Sequence, residues 1–367
     1  MIKKRSKLSF ILILALSAAI CFTGCFADRS AVDDHGLQPE TTDNIDVVIV
    51  TPLPNGAGSP EASYPVSETP GDPLTTPDEF NTPAGTENAT EIPGTKTPDH
   101  NVVLKVDPEK LHSRSVMLKN IDTGEILYEL SVSTRIYPAS LTKMMTGLLA
   151  AEMLSADKKY EVTREAIERA YSLGASTGGF EPGEYTDKDG ILGGILMSSA
   201  AECSFTAAIE LCGSEEAFVE LMNKRAQELG MSNTHFVNCT GLHNDDHYST
   251  VEDLMKLAEH ALRNPDYVRF FTLDTFKAYT EPSRKYQLTL TSTVFSGLAN
   301  YDYGDVEILG GKTGYTRQAG LCLTTYSLYA GNHYILITAD NDGNQNTDKY
   351  HFIDAEYIYR VLQEELR

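Results

Sequence analysis

The chain has 367 residues, room for one large globular domain with appendages or for two smaller ones. Its 30 Lys plus Arg against 52 Asp plus Glu give a formal charge of −22, which excludes any general attraction to nucleic acid or anionic lipid. Eleven of the 16 prolines fall between residues 26 and 100, and this asymmetry divides the chain into three segments.

Residues 1–25 open on the basic stretch Lys3-Lys4-Arg5-Ser6-Lys7 and continue through an apolar run from Leu8 to Phe22, the pattern of an export signal. The run ends at Phe22-Thr23-Gly24-Cys25, which resembles a bacterial lipobox and implies Cys25 as a lipidated N-terminus. An uncleaved membrane anchor is the alternative, and both readings put the remainder outside the cytoplasm. Residues 26–100 carry 14 acidic and 2 basic side chains among repeated Thr-Pro and Pro-Gly steps with no hydrophobic period. Such a segment buries too little apolar surface to order itself and reads as a self-repelling, Pro-stiffened linker.

From residue 101 to 367 the pattern is globular. Val116 to Leu130, split by Asp122-Thr123-Gly124, reads as a β-hairpin. Helices are expected over Ala139–Leu154, Glu161–Leu173, Asp189–Leu211 with interruptions, Glu215–Leu229 and Thr250–Leu262. Gly320–Tyr329 and His333–Ala339, joined by Ala330-Gly331-Asn332, form a second expected hairpin, and Asp348–Leu366 a closing helix. Strands at both ends of a helical middle point to an α+β domain. Four cysteines lie here, Cys203, Cys212, Cys239 and Cys322. An exported domain invites a disulfide, yet Cys203 and Cys212 on one helix would stand about 13 Å apart on opposite faces. Buried free thiols are the favoured reading. No cysteine or histidine spacing suggests a metal site.

Two short motifs carry chemistry. In Tyr137-Pro138-Ala139-Ser140-Leu141-Thr142-Lys143, Pro138 is placed to open a helix, so Ser140 lies in its first turn and Lys143 on the same face. A desolvated lysine there can take the serine proton, and the helix N-terminus favours the alkoxide. Ser-x-x-Lys alone is weak, since about one or two matches arise by chance in this length. Ser155-Ala156-Asp157-Lys158 is one such match, in a polar turn. Downstream, Gly310-Gly311-Lys312-Thr313-Gly314-Tyr315 offers a cation and a hydroxyl for a carboxylate, and glycine permits close backbone approach. By itself Lys-Thr-Gly reads as a Gly-rich turn; paired with Ser-x-x-Lys it reads as the second half of an acyl-transfer site.

With Gly241-Leu242-His243, His247-Tyr248-Ser249-Thr250 and Ala319-Gly320 in the same order, residues 105–365 resemble the serine D-Ala-D-Ala carboxypeptidases, low-molecular-mass penicillin-binding proteins of peptidase family S11. The resemblance implies a β-lactamase-like fold, an antiparallel sheet packed with helices plus a helical subdomain, with the active site at their junction. It implies Ser140 as nucleophile, Lys143 as base and Ser199 as proton relay, with Lys312, Thr313 and Gly314 at the substrate carboxylate. Peptidoglycan stem peptides and β-lactams are the implied partners, with no cofactor, no metal and no nucleic acid. Ser140 and Tyr315 are the expected N–H donors to the oxyanion. Arg317 is a further candidate for carboxylate contact, against an exposed loop cation.

One departure stands out. The family's Ser-x-Asn motif falls on Ser199-Ala200-Ala201, so the asparagine is replaced by Ala201, and the adjacent Glu202 is expected to point elsewhere on the helix. A catalytically weakened penicillin-binding or wall-binding module is therefore the alternative. Gly174-Ala175-Ser176-Thr177-Gly178 matches the nucleophile elbow Gly-x-Ser-x-Gly, but a helical pattern precedes it where that motif needs a strand. A β-lactamase reading fails for want of a deacylating Glu-x-x-Leu-Asn. His243 and His247 are read as structural members of a polar loop.

Overall fold

The computed structural model describes residues 103–367. The signal, Cys25 and the Pro-rich linker lie outside these residues. The chain opens with β1 (Ser115–Asn120) and β2 (Ile126–Leu130), then a 3-10 turn (Ala139–Thr142) leading into α1 (Lys143–Met153). β3 (Tyr160–Val162), α2 (Arg164–Ser172), β4 (Glu184–Thr186), α3 (Lys188–Leu196), α4 (Ala201–Cys212), α5 (Glu215–Glu228), α6 (Val251–Ala261) and α7 (Pro265–Phe271) follow. The last part comprises the short strands β5 (Thr275–Lys277) and β6 (Thr289–Thr291), then α8 (Thr293–Leu298), β7 (Glu307–Thr316), β8 (Gly320–Tyr329), β9 (Asn332–Ala339) and α9 (Tyr350–Leu366).

The main sheet has the order β2-β1-β9-β8-β7 and is antiparallel throughout. Its first and last strands in the sequence thus share one sheet, because β9 inserts between β1 and β8. Side chains alternate across the pleat. Met117 faces Ile337, and both enter the core beneath the helical segment; Leu118 faces Leu336, and both enter the core beneath α9. A strand covered on both faces must be apolar in successive positions, and Tyr334-Ile335-Leu336-Ile337 in β9 is fully buried. β7 forms an edge, leaving one side of Lys312-Thr313-Gly314 free to meet the 3-10 turn and a ligand.

Both expected hairpins are present, and strands flanking a helical middle make the α+β arrangement expected from the sequence. One boundary differs. Residues 160–162 pair with β4 as a strand, and the helix waits for Thr163, whose hydroxyl caps the amide of Ala166. The interruption expected in the helix over 189–211 falls between Leu196 and Ala201, where Ser199 adopts φ 58°. Lys312-Thr313-Gly314 lies within a ten-residue edge strand, the placement that goes with its pairing to Ser-x-x-Lys, and not in the alternative Gly-rich turn. The stretch from Pro265 to Leu298, unassigned from the sequence, contributes two helices and a small hairpin. Cys203, Cys212, Cys239 and Cys322 are all free thiols; three are buried as expected, whereas Cys212, at the end of α4, is partly exposed. Among the described residues no helix is long and apolar enough to cross a membrane.

Candidate active site

A cleft of about 850 Å³ lies where the helical segment meets β7, a volume within the usual range of ligand sites. Ser140, Lys143, Ser199, Thr313 and Gly314 line it, drawn from the 3-10 turn, α1, the α3–α4 break and the sheet edge. These five come from three separate stretches of sequence brought together by packing.

Ser140 sits in the 3-10 turn immediately after Ala139, which is held at φ 47°. Positive φ in a residue bearing a Cβ is costly, so the turn persists only because its surroundings hold it. The chain around Gly241 does so. At φ 81° this glycine lies so close that a Cβ would stand 1.8 Å from the carbonyl oxygen of Ala139 and 2.8 Å from Thr142 Oγ1. Thr142 is bound in turn to His247 Nε2 at 2.7 Å.

Lys143 Nζ is 3.2 Å from Ser140 Oγ and donates a 2.8 Å hydrogen bond to the carbonyl of Thr240. Its side chain is almost fully buried, and burial lowers its pKa to about 8, with Cys239 and Glu202 acting in the opposite direction. A lysine so placed can hold a free amine near neutral pH, the condition for accepting a hydroxyl proton. The Thr240 carbonyl is positioned from below: Asn238 Oδ1 accepts from the amides of Thr240 and Gly241, and Glu215 Oε1 accepts from the amide of Cys239 at 2.9 Å. Glu215 is itself paired with Arg169.

Ser199 is buried, and its Oγ has no hydrogen-bond partner among the described residues. A hydroxyl left unpaired on a cleft wall is available to a substrate atom. Beside it Ala201, fully buried at the start of α4, offers no amide; its N–H donates to the carbonyl of Ser176. The Ser176 of the elbow-like motif is therefore part of a loop that walls the cleft.

β7 passes directly against the 3-10 turn: a Cβ on Gly314 would stand 3.1 Å from Ser140 N. The missing side chain lets strand and turn approach, which brings the Tyr315 end of the strand next to the Ser140 amide. Thr313 Oγ1 donates to Thr293 Oγ1 at 2.7 Å, and Lys312 Nζ donates to the carbonyl of Thr313 at 2.8 Å. Lys312 is fully buried, and both desolvation and the nearby Lys143 push its pKa well below the ordinary lysine value. Arg317 stands apart from this group. It is exposed in the β7–β8 turn and lines a neighbouring surface hollow of about 250 Å³ with Arg114, Asp340 and Asp342; only Tyr315 lines both spaces.

The profile of peptidase S11, D-alanyl-D-alanine carboxypeptidase, matches residues 102–343 and so spans the turn, the cleft and the sheet edge. The chain belongs to this family. D-alanyl-D-alanine carboxypeptidase DacF of Bacillus subtilis is 37% identical over 215 residues, covering 58% of this chain and 53% of its own length. DacA of Escherichia coli K12 is 29% identical over 218 residues, covering 58% and 52%. The chain thus spans about half the length of these curated relatives. Among solved structures, the Streptomyces K15 DD-transpeptidase superposes with a TM-score of 0.60 at 22% identity, over 68% of this chain and 97% of that one. A D-alanyl-D-alanine carboxypeptidase from Mycobacterium tuberculosis H37Rv gives 0.61 at 20% identity, over 74% and 96%. These likenesses establish the S11 fold, the β-lactamase-like arrangement expected from the motifs.

Several residues around this cleft carry no signal in the sequence. Thr240, Asn238 and Thr293 have no motif that marks them, although an Asn three residues before a Gly is the signature of a local side-chain-stabilised turn. Glu202, expected to point elsewhere on the helix, does not line the cleft; it is fully buried, and its Oε1 accepts from the amide of Gly178 at 2.7 Å.

Proposed function

We propose that this protein is a serine D-Ala-D-Ala carboxypeptidase that removes the terminal D-Ala from peptidoglycan stem pentapeptides and is acylated by β-lactams. The observation that carries the reading is the buried Lys143 amine within hydrogen-bond distance of Ser140 Oγ, beside the Lys312-Thr313-Gly314 edge. In the proposed course the Lys143 amine takes the Ser140 proton as Oγ bonds to the carbonyl carbon of the penultimate D-Ala. The carbonyl electron pair moves onto oxygen, where the N–H groups of Ser140 and Tyr315 receive it. Collapse of this intermediate expels the terminal D-Ala, its nitrogen taking a proton by way of Ser199, and water then hydrolyses the acyl-serine.

Lys312 and Thr313 hold the terminal carboxylate. Lys312 is held below its ordinary pKa by burial and by Lys143. An arriving carboxylate supplies the counter-charge that its ammonium form lacks, so binding and protonation of Lys312 support one another. Arg317, being exposed, is assigned to the rim and not to the carboxylate site. The basic and apolar start of the chain, with Cys25 as lipid attachment, supports a membrane-anchored protein facing the cell wall on a linker over residues 26–100.

Intact-mass measurement of the protein incubated with benzylpenicillin, with Ser140→Ala as control, tests the assignment. A persistent adduct absent from the variant, together with D-Ala release from a D-Ala-D-Ala peptide, is expected. A folded protein that takes no adduct would sink it.

A further inference from the structure

The carboxypeptidase reading fixes the direction in which a peptide crosses β7. Lys312 and Thr313 take the terminal carboxylate, and the amides of Ser140 and Tyr315 flank the scissile carbonyl, so the residues before that bond lie past Tyr315, toward Thr316 and Arg317. A peptide laid along an edge strand advances about 3.3 Å per residue, the same step as the strand itself. With the penultimate D-Ala beside Tyr315, the third stem residue comes level with Thr316 and Arg317, where β7 enters the β7–β8 turn.

That turn borders the hollow of about 250 Å³ that shares Tyr315 with the cleft. Its walls are fastened to one another. Asn341, buried beneath the turn, donates from Nδ2 to the carbonyl of Leu321 at 2.6 Å, and its Oδ1 accepts from the amides of Leu321 at 3.0 Å and Gly343 at 2.8 Å. Gly320, at φ 67°, lets the Asn341 carbonyl approach so closely that a Cβ would stand 1.9 Å from its oxygen. The 340–344 loop is therefore fixed against the turn that carries Arg317. Two cations and two anions line the hollow, unevenly committed. Arg114 donates to Asp340 Oδ1 at 3.3 Å and to Asp342 Oδ2 at 2.6 Å, which leaves Oδ1 of the mostly exposed Asp342 open. Arg317 has no ion-pair partner among the described residues.

We propose that this hollow is the subsite for the third stem residue and takes a side chain that ends as an α-amino acid, with an ammonium and a carboxylate on one carbon, as in diaminopimelate. The carboxylate pairs with Arg317, whose planar fork matches it, and the ammonium meets the open oxygen of Asp342. A lysine side chain ends in an ammonium alone, so it leaves Arg317 without a partner and is repelled by it. The hollow lies just below the range of about 300–1,000 Å³ for pockets that take drug-sized ligands, a size suited to one side chain. The proposal rests on the carboxypeptidase reading and adds the class of stem that the site prefers.

The experiment measures kcat/KM for D-Ala release by the full-length protein from three pentapeptides that differ only at the third residue. One carries diaminopimelate, one lysine, and one diaminopimelate with its side-chain carboxylate amidated, which removes the charge and keeps the shape. An exposed ion pair is worth up to about fivefold in an equilibrium, so the diaminopimelate peptide is expected to be favoured about fivefold over either of the others. Arg317→Gln should bring its ratio to the amidated peptide down to about one, while Arg317→Lys, which keeps the charge, should preserve part of the preference. A ratio of one in the unaltered protein overturns the proposal, and so does a preference that survives Arg317→Gln intact. Penicillin has no third stem residue, so the two readings fail separately. Absence of a penicillin adduct overturns the carboxypeptidase reading, whereas an adduct together with equal rates on the three peptides overturns the subsite alone.

Discussion

His247 donates from Nε2 to the hydroxyl of Thr142 at 2.7 Å, and the tautomer follows from its other nitrogen. Nδ1 lies 3.1 Å from the amide of Val237, which can only donate, so the single ring proton sits on Nε2. The loop before α6 is thereby fastened to the turn that carries Ser140.

This neutral histidine predicts acid sensitivity. Burial lowers the pKa of His247 to about 3, and that of His351 on α9 likewise to about 3. The unfolded chain binds a proton to each near pH 6.5, whereas the folded chain does not until about pH 3. Their contribution is full above about pH 6.5 and is lost as pH falls, at about 1.4 kcal/mol per pH unit for each histidine. Urea unfolding at stepped pH should show this slope, and His247→Gln should remove one histidine's share of it. An identical slope in the variant would mean that His247 titrates normally.

The Lys143 pKa of about 8 predicts the pH dependence of acylation. The amine must be free to take the serine proton, so the second-order rate of penicillin acylation should rise about tenfold per pH unit below about pH 8 and level off above it. Stopped-flow measurement with a chromogenic β-lactam reads the profile. A rate that is flat from about pH 6 to pH 8 would exclude Lys143 as the titrating base.

Gly241→Ala and Gly124→Ala separate close approach from positive φ. Both glycines have nearly the same φ, 81° and 79°. A Cβ at Gly241 would collide with the Ala139 carbonyl at 1.8 Å, whereas at Gly124, in the β1–β2 turn, it meets nothing within 4 Å. Gly124→Ala should cost about 1 kcal/mol and leave acylation intact. Gly241→Ala should cost at least about 2 kcal/mol and displace Ser140, lowering acylation more than tenfold. Thermal unfolding and acylation rates, measured side by side, distinguish the two.

Glu215 acts on Lys143 at one remove, by holding the Cys239 amide next to the Thr240 carbonyl that anchors Nζ. Glu215→Ala leaves that buried N–H unpaired and Arg169 without its partner, a loss of about 2–3 kcal/mol. Acylation should fall, and Glu215→Gln, which retains an acceptor for Cys239, should recover most of it. Equal loss in both variants would show that the charge on Glu215, and not its hydrogen bond, is what matters.

The sequence alone determined the parts of this protein that depend on neighbours along the chain. The hairpins at 116–130 and 320–339 are legible because turn residues split apolar runs that lie next to one another in the chain, and Ser140 and Lys143 meet because three residues span about one turn. Thr163 as a cap was equally local, yet an apolar-periodic stretch hid the strand before it, since β3 exists only by pairing with β4. What packing alone decided concerns residues far apart in sequence. Lys143 is anchored to a carbonyl 97 residues away, Thr313 to a hydroxyl 20 residues before it, and Glu202 turns inward because the 176–178 loop presents an amide to it. The protonation of Lys143, Lys312 and His247 belongs to the same class. Desolvation is a property of the assembled interior, and no stretch of sequence carries it until helix, loop and sheet edge have closed around the group.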